Sequence, residues 1–242
     1  RLTVVNGVGT IVARGCALLA AILVARSLGK ANFGRIGIVQ STVAAVQVFG
    51  SLGLGMTATK FIAQYRLTDR LRAGRIHAVV RVAGGISGVV AAGLLFFGAR
   101  WLARVTLSDE AMAPLLQVAA PSLFFATLNG VQLGALAGLS DFRTIAVVNA
   151  VVGAVTLPAY LIGAKLGGTT GVVAATSVVA ATGWLLSGVL LRARFRSAGI
   201  SPCRGGWGAE IGIVPRFALP ALLQNAMVAP VLWAAAALLV NQ

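Results

Sequence analysis

The residue whose chemistry most needs a purpose is Arg14, a guanidinium in the middle of an apolar run from Val4 to Val24. That run is long enough to span a bilayer as a helix. At about 100° per residue, Thr3, Asn6, Gly7, Thr10, Arg14, Ala17 and Ala21 share one face roughly 100° wide, and the other faces are Val, Leu, Ile and Ala. A membrane-centre arginine turned to lipid costs at least ~2.5–3.5 kcal/mol. The polar face is therefore expected to look onto protein or water. The specific expectation is a cavity for an anionic headgroup, whose oxygens the planar guanidinium fork can pair with two at a time.

Other apolar runs carry polar stripes. Gln40, Gln47 and Ser51 fall within roughly 40° of one another on a helical wheel. Gln117, Pro121, Phe125 and Gln132 share a face flanked by Asn129, and Asn149, Gly153, Thr156 and Tyr160 share another. One such stripe reads equally as hydrogen bonding between helices. Several together with Arg14 point to a shared hydrated cavity, lined by Asn6, Thr10, Arg14, Gln40, Gln47, Asn129, Gln132 and Asn149 as candidate substrate-binding residues. Pro121 and Pro158 are expected to bend or interrupt their helices.

The acidic residues are as informative as the basic ones. Asp69, Asp109, Glu110, Asp141 and Glu210 all fall between apolar runs. An exporter of organic cations needs a carboxylate inside a span as counter-charge, and here an arginine stands instead. A membrane glycosyltransferase or polymerase needs acid–base or metal-binding carboxylates. The adjacent pair Asp109–Glu110, after Ser108, reads as a helix N-terminal signal, so no catalytic residue is assigned and the chain is not read as an enzyme. His77 has no acidic or cysteine neighbour arranged for metal, and Cys16 and Cys203 read as free thiols, so no metal or cofactor is assigned.

Positioning these residues falls to helices. The chain has 242 residues, 58% hydrophobic and 10% charged, with formal net charge +15. That composition is a membrane protein's, and the basic excess follows from topology rather than from nucleic acid. Apolar runs at about 4–25, 36–58, 79–103, 113–137, 145–165, 171–191 and 213–240 give seven candidate spans. With the N-terminus inside, Arg1, the basic residues of 60–81, Arg143, Arg192, Arg194, Arg196, Arg204 and Arg216 lie inside. They outnumber Arg26, Lys30, Arg35, Arg100, Arg104 and Lys165 outside. The segment 59–78 reads either as an amphipathic helix on anionic headgroups or as a plain topogenic loop. The glycines of span three, Gly84, Gly85, Gly88 and Gly93, read as sites of close helix approach. The chain lacks an initiator Met and stops soon after the seventh run, which reads as a fragment of a longer protein.

The stretches VNGVGTIVARG at 5–15, LVARSLGKANFG at 23–34 and SLGLGMTATKFIAQYR at 51–66, with Phe217-Ala218-Leu219-Pro220, resemble the polysaccharide and O-antigen flippases. These form the oligosaccharide-lipid branch of the MOP exporter superfamily. The resemblance implies an all-α integral membrane fold, MATE-like, of two six-helix lobes that rock about a central cavity. It makes residues 1–191 the N-terminal lobe, 192–212 a basic cytoplasmic interlobe linker and 213–242 the first helix of a second lobe. It implies a bacterial inner-membrane flippase carrying a polyprenyl-diphosphate-linked oligosaccharide for cell-surface polysaccharide, with proton or sodium coupling and with polymerase and glycosyltransferases as partners. In the related lipid II flippase, cavity arginines hold a pyrophosphate. Arg14 aligns with one of them, whereas Ala20 replaces another, and Arg26 either lines the outer end of the cavity or snorkels to the interface. The alternatives are a MATE-type multidrug exporter and a structural membrane partner whose stripes are consumed in helix packing.

Overall fold

In the computed structural model, the described residues are 2–51, 53–105 and 109–200, with the side chains of 2–14, 16 and 17 excepted. They are almost wholly helical: α1 (Leu2–Ser51), α2 (Leu54–Tyr65), α3 (Arg70–Val105), a 3₁₀ turn (Glu110–Met112), α4 (Ala113–Gly138) and α5 (Phe142–Ser197). By length and composition α3, α4 with its leading turn, and α5 are each able to cross a membrane. The later part of α1 and α2 make a fourth, bent by 43° where they meet. The expected span 213–240 lies outside the described residues.

Two of these helices are too long for one crossing. The 56 residues of α5 would reach about 84 Å if straight, against a hydrocarbon core of about 30 Å. The helical path breaks at Gly167 (φ −139°, ψ 15°) and Gly168 (φ 56°, ψ −131°). Backbone contact between Gly163 and Gly171 shows that the two arms fold back on each other there, and Gly183 faces Val152 further along the same hairpin. α1 breaks at Gly29 (φ 80°, ψ 164°), a left-handed φ that glycine adopts without a Cβ clash. Ser27 Oγ donates to Val24 O (3.0 Å) and Asn32 Nδ2 to Leu28 O (3.0 Å), so side chains satisfy carbonyls around the break. Dividing α1 and α5 at these glycines, and counting the later arm of α1 with α2 as one bent span, gives six segments for the six apolar runs up to 191. α5 continues through Arg192, Arg194 and Arg196 to Ser197, past the boundary that hydropathy sets, because a helix does not end where the lipid does.

Pro121 and Pro158 lie inside α4 and α5, and neither interrupts its helix; among the described residues the breaks fall at Gly29, Gly53 and Gly167–Gly168. Both prolines are exposed.

Glycines set the closest helix approach. Gly130, Gly134 and Gly138 recur every four residues on α4. A Cβ on Gly134 would collide with the backbone of Gly55, and one on Gly138 would meet Ile62 and the Thr59 carbonyl at 2.9 Å. Thr59 Oγ1 donates across this seam to Gly134 O (2.9 Å) and within α2 to Gly55 O (3.0 Å). Of the span-three glycines, Gly84 and Gly88 pack on α4, whereas a Cβ on Gly85 or Gly93 meets nothing within 4 Å. Two buried clusters result. One joins Val24, Ile36, Leu95, Leu116 and Val172; the other joins Leu54, Ile62, Ile76, Leu136 and Phe195. Outward-facing positions are large and apolar, Phe97 and Leu166 among them, as a lipid-facing surface requires.

Gly134→Ala is expected to destabilise the protein by about 1–3 kcal/mol through overpacking against Gly55. Gly85→Ala, in open space on a helix, is expected to be neutral or stabilising by up to about 1 kcal/mol. Thermal unfolding of the detergent-solubilised protein, followed by size-exclusion fluorescence, compares the two. Equal melting temperatures would contradict the seam.

Candidate functional site

Every described acid sits at a helix N-terminus. Asp69 Oδ1 accepts from Arg72 N (2.9 Å), Asp109 Oδ1 from Ala111 N (3.0 Å), and Asp141 Oδ1 from Thr144 N (3.2 Å). Glu110 opens the 3₁₀ turn and pairs with Arg104 Nε at 2.9 Å. Caps of this kind satisfy otherwise orphaned amide donors and complement the positive helix end. No described carboxylate lies within the middle of a span, and among the described residues no group of His, Cys, Asp or Glu could hold a metal.

The ion pairs mark two ends of the bundle. At one, Arg194 Nε pairs with Asp141 Oδ2 (2.6 Å) and Arg66 Nη1 donates to Ser140 Oγ (3.0 Å). These tie the α2–α3 turn, the α4–α5 turn and the end of α5 together. At the other, Arg35 pairs with Asp109 (3.3 Å). Arg26, Lys30 and Lys165 are exposed near the Gly29 and Gly167 breaks at this second end. A cleft of about 350 Å³ there is lined by Arg100, Arg104, Glu110 and Gln117.

Between the ends the polar stripes part into two sets. Gln40 on the later arm of α1 donates through Nε2 to Tyr160 Oη on the first arm of α5 (3.4 Å), and Gln40 is exposed. These arms run in opposite directions with equal rise per residue. Gln47 therefore lies at about the depth of Gly153, and Ser51 at about that of Asn149. Gln47 and Asn149 are half-buried. Two stripes separated by about a hundred residues of chain thus meet at Gln40 and Tyr160, between the later arm of α1 and the first arm of α5. Thr156 spends its hydroxyl proton on Val152 O (2.8 Å) and can only accept.

The stripe on α4 goes elsewhere. Ser187, fully buried on the second arm of α5, donates to Asn129 Oδ1 (2.8 Å) and contacts Gln132 Oε1. Gly183 and Gly188 leave room for these amides: a Cβ on Gly188 would sit 3.0 Å from Gln132 Nε2. Phe125 packs on Trp184 in the same seam, ring centroids 5.5 Å apart. In this conformation Asn129 and Gln132 hold α4 to α5. His77, which has no acidic or cysteine neighbour in sequence arranged for metal, is buried with its ring edge-on to Phe195 at 4.9 Å.

Asn6, Thr10 and Arg14 lie on the first arm of α1, and their side chains are outside the described set. Reading the sequence overlooked Ser187 and the glycine ladder at 130, 134 and 138. The four-residue spacing of the glycines was a legible signal. Ser187 was not, because a lone serine in an apolar run usually bonds its own helix, as Ser41 and Ser51 do here.

Residues 1–227 match the family described as polysaccharide biosynthesis protein. No curated protein sequence matches the chain. Among solved structures the fold is similar to an outward-facing multidrug resistance transporter of the MATE family, MOP superfamily, at 18% identity and TM-score 0.72, covering 96% of this chain and 54% of that one. It is similar also to a MOP superfamily transporter from Pyrococcus furiosus whose binding pocket is described as of reverse polarity, suggesting a different function (18%, TM-score 0.73, 96% and 54%). A MATE protein in complex with Br-NRF is comparable (19%, TM-score 0.73, 96% and 55%). The chain spans about half the length of these structures, and at these identities the likeness is one of fold. The chain is a multi-pass helical membrane protein with the fold of one half of a MOP superfamily transporter.

Ser187→Ala removes the one hydroxyl proton that Asn129 Oδ1 and Gln132 Oε1 both face across the seam. A loss of about 0.6–1.7 kcal/mol is expected, in line with interhelical hydrogen bonds in membranes. Ser187→Thr keeps the donor but adds a methyl in a tight seam, so it separates bonding from packing. Chemical unfolding in mixed micelles measures both, and an unchanged Ser187→Ala midpoint would contradict the seam.

Proposed function

We propose that this chain, which belongs to the polysaccharide biosynthesis protein family, forms half of a flippase. Its cargo is a polyprenyl-diphosphate-linked oligosaccharide, moved from the cytoplasmic to the outer leaflet of the bacterial inner membrane by alternating access. The observation that carries this reading is the placement of charge. All four described acids are committed to helix N-termini, while the described polar contact between the later arm of α1 and the first arm of α5, Gln40 with Tyr160, joins a neutral amide to a phenol. Neutral hydrogen-bonding groups suit a hydroxyl-rich glycan, and a cationic cargo would find no described counter-charge in the spans.

In this mechanism Arg14 holds the diphosphate through two parallel hydrogen bonds, with Thr10 and Asn6 one and two turns away on the same face. Gln40, Gln47, Tyr160 and Asn149 contact sugar or bridging water. Asn129 and Gln132 keep α4 against α5 and enter the sugar-contacting set only if the Ser187 bonds open during the transport cycle. A single lobe provides one wall of an alternating-access cavity, and a second lobe closes it. The N-terminus is assigned to the cytoplasm because the end carrying Arg66, Arg70, Arg72, Arg143, Arg192, Arg194 and Arg196 is the more basic. Coupling to a proton or sodium gradient, and association with the polymerase and glycosyltransferases of the same route, belong to the proposal. The fold shared with multidrug transporters supplies a second reading, export of a small organic molecule.

Arg14→Ala is expected to abolish surface glycan in cells that depend on this protein while leaving its level in the membrane unchanged. Arg14→Lys is expected to retain part of the export, since it keeps the charge but loses the fork. Lectin labelling of the cell surface, with membrane immunoblots alongside, reads both. Normal export by the alanine variant would remove Arg14 from the mechanism.

A further inference from the structure

The end of the bundle tied by Arg66 and Arg194 encloses a cleft of about 460 Å³ that the transport reading does not use. Arg66, Arg70 and Arg194 converge on it from the α2–α3 turn, the start of α3 and the end of α5, with Ser140 and Ser197 on its rim. Three helices end here, and the partial negative charge at their C-termini accounts for some of this basic character. It does not account for all of it. Asp141 neutralises Arg194, but Arg66 and Arg70 form no ion pair with a described residue.

The donors are partly fixed already. Arg66 uses Nη1 on Ser140 Oγ, whose residue is held in a left-handed turn (φ 61°), and its remaining N–H groups have no described partner. Arg194 commits Nε and Nη2 to Asp141 and Thr144, leaving Nη1. The Nη1 of Arg70 lies over Gly199, where a Cβ would come within 2.8 Å of it. Apolar groups stand beside these cations: Leu67 is 80% and Leu71 58% exposed on the same short segment. Leucines so placed at the end of a membrane bundle are covered only if that segment lies in the interface, which a soluble anion site would not need.

We propose that this cleft holds the phosphate of an anionic phospholipid headgroup, with Arg66, Arg70 and Arg194 around the phosphate and Leu67 and Leu71 among the upper acyl carbons. The site anchors the α2–α3 turn, the α4–α5 turn and the end of α5 to one leaflet. It is independent of the cargo and of Arg14.

Native mass spectrometry of the full-length protein tests it, with phosphatidylglycerol and phosphatidylcholine of the same chain length as probes. Phosphatidylglycerol is expected to bind in preference. R66Q/R70Q is expected to weaken that binding roughly thirtyfold, and R70Q alone about fivefold, at about one unit of surface attraction per arginine. R100Q/K165Q, with the same charge loss at the opposite end, is expected to bind as the parent does. Should R66Q/R70Q fail to fold, R70Q carries the test. Unchanged binding in R70Q, equal weakening in R100Q/K165Q, or full displacement by excess inorganic phosphate would each overturn the proposal. The last outcome would assign the cleft to a free anion instead.

Discussion

Hydrocarbon offers no partner to a polar atom, and the architecture of this chain follows from that constraint. Most hydroxyls in the spans turn back on their own helix, as Thr42 does to Ile38 O and Thr156 to Val152 O. Where two helices must be joined, the bond is made where small residues let backbones approach, as Thr59 reaches Gly134 O and Ser187 reaches Asn129. The family-like stretches acquire a physical meaning here. Residues 23–34 contain the Gly29 break and the Ser27 and Asn32 bonds around it. Residues 51–66 contain the left-handed Gly53, the Gly55 contact with α4 and the Thr59 bond. Both stretches thus contain the breaks and the close contact that shape the bundle.

Charge is handled by a different rule. Acids are placed at helix N-termini, where amide donors and the helix dipole favour them. Arginines then join those caps across turns, Asp141 with Arg194 at one end and Asp109 with Arg35 at the other. The turns at each end are clasped electrostatically while the spans between them stay free of described carboxylates. Among the described residues, Gln40 and Tyr160 place a neutral polar contact between α1 and α5 away from these clasps.

Much of the fold was legible because length and hydropathy are strong signals. Six apolar runs, the loop positions of the acids and the all-helical class could be read directly. The site was less legible, and the stripes show why. A helical wheel states which residues share a face but not which helix that face meets. Gln40 and Gln132 looked alike, yet one meets Tyr160 on an open face and the other meets a buried serine. Proline was a poor guide to breaks, because glycine pairs such as Gly167–Gly168 permit the chain reversal that proline only bends. Hydropathy also placed the end of the sixth run at the lipid boundary, whereas the helix carries its arginines beyond it.

The account stands on the sign of the cargo's charge. Full-length protein reconstituted into vesicles, supplied with a fluorescent polyprenyl-diphosphate oligosaccharide in one leaflet and in parallel with a lipophilic organic cation, measures it most directly. Chemical quenching from the outside should show the anionic lipid crossing between leaflets in a protein-dependent manner and the cation left behind. Protein-dependent movement of the cation with none of the diphosphate lipid would contradict the account.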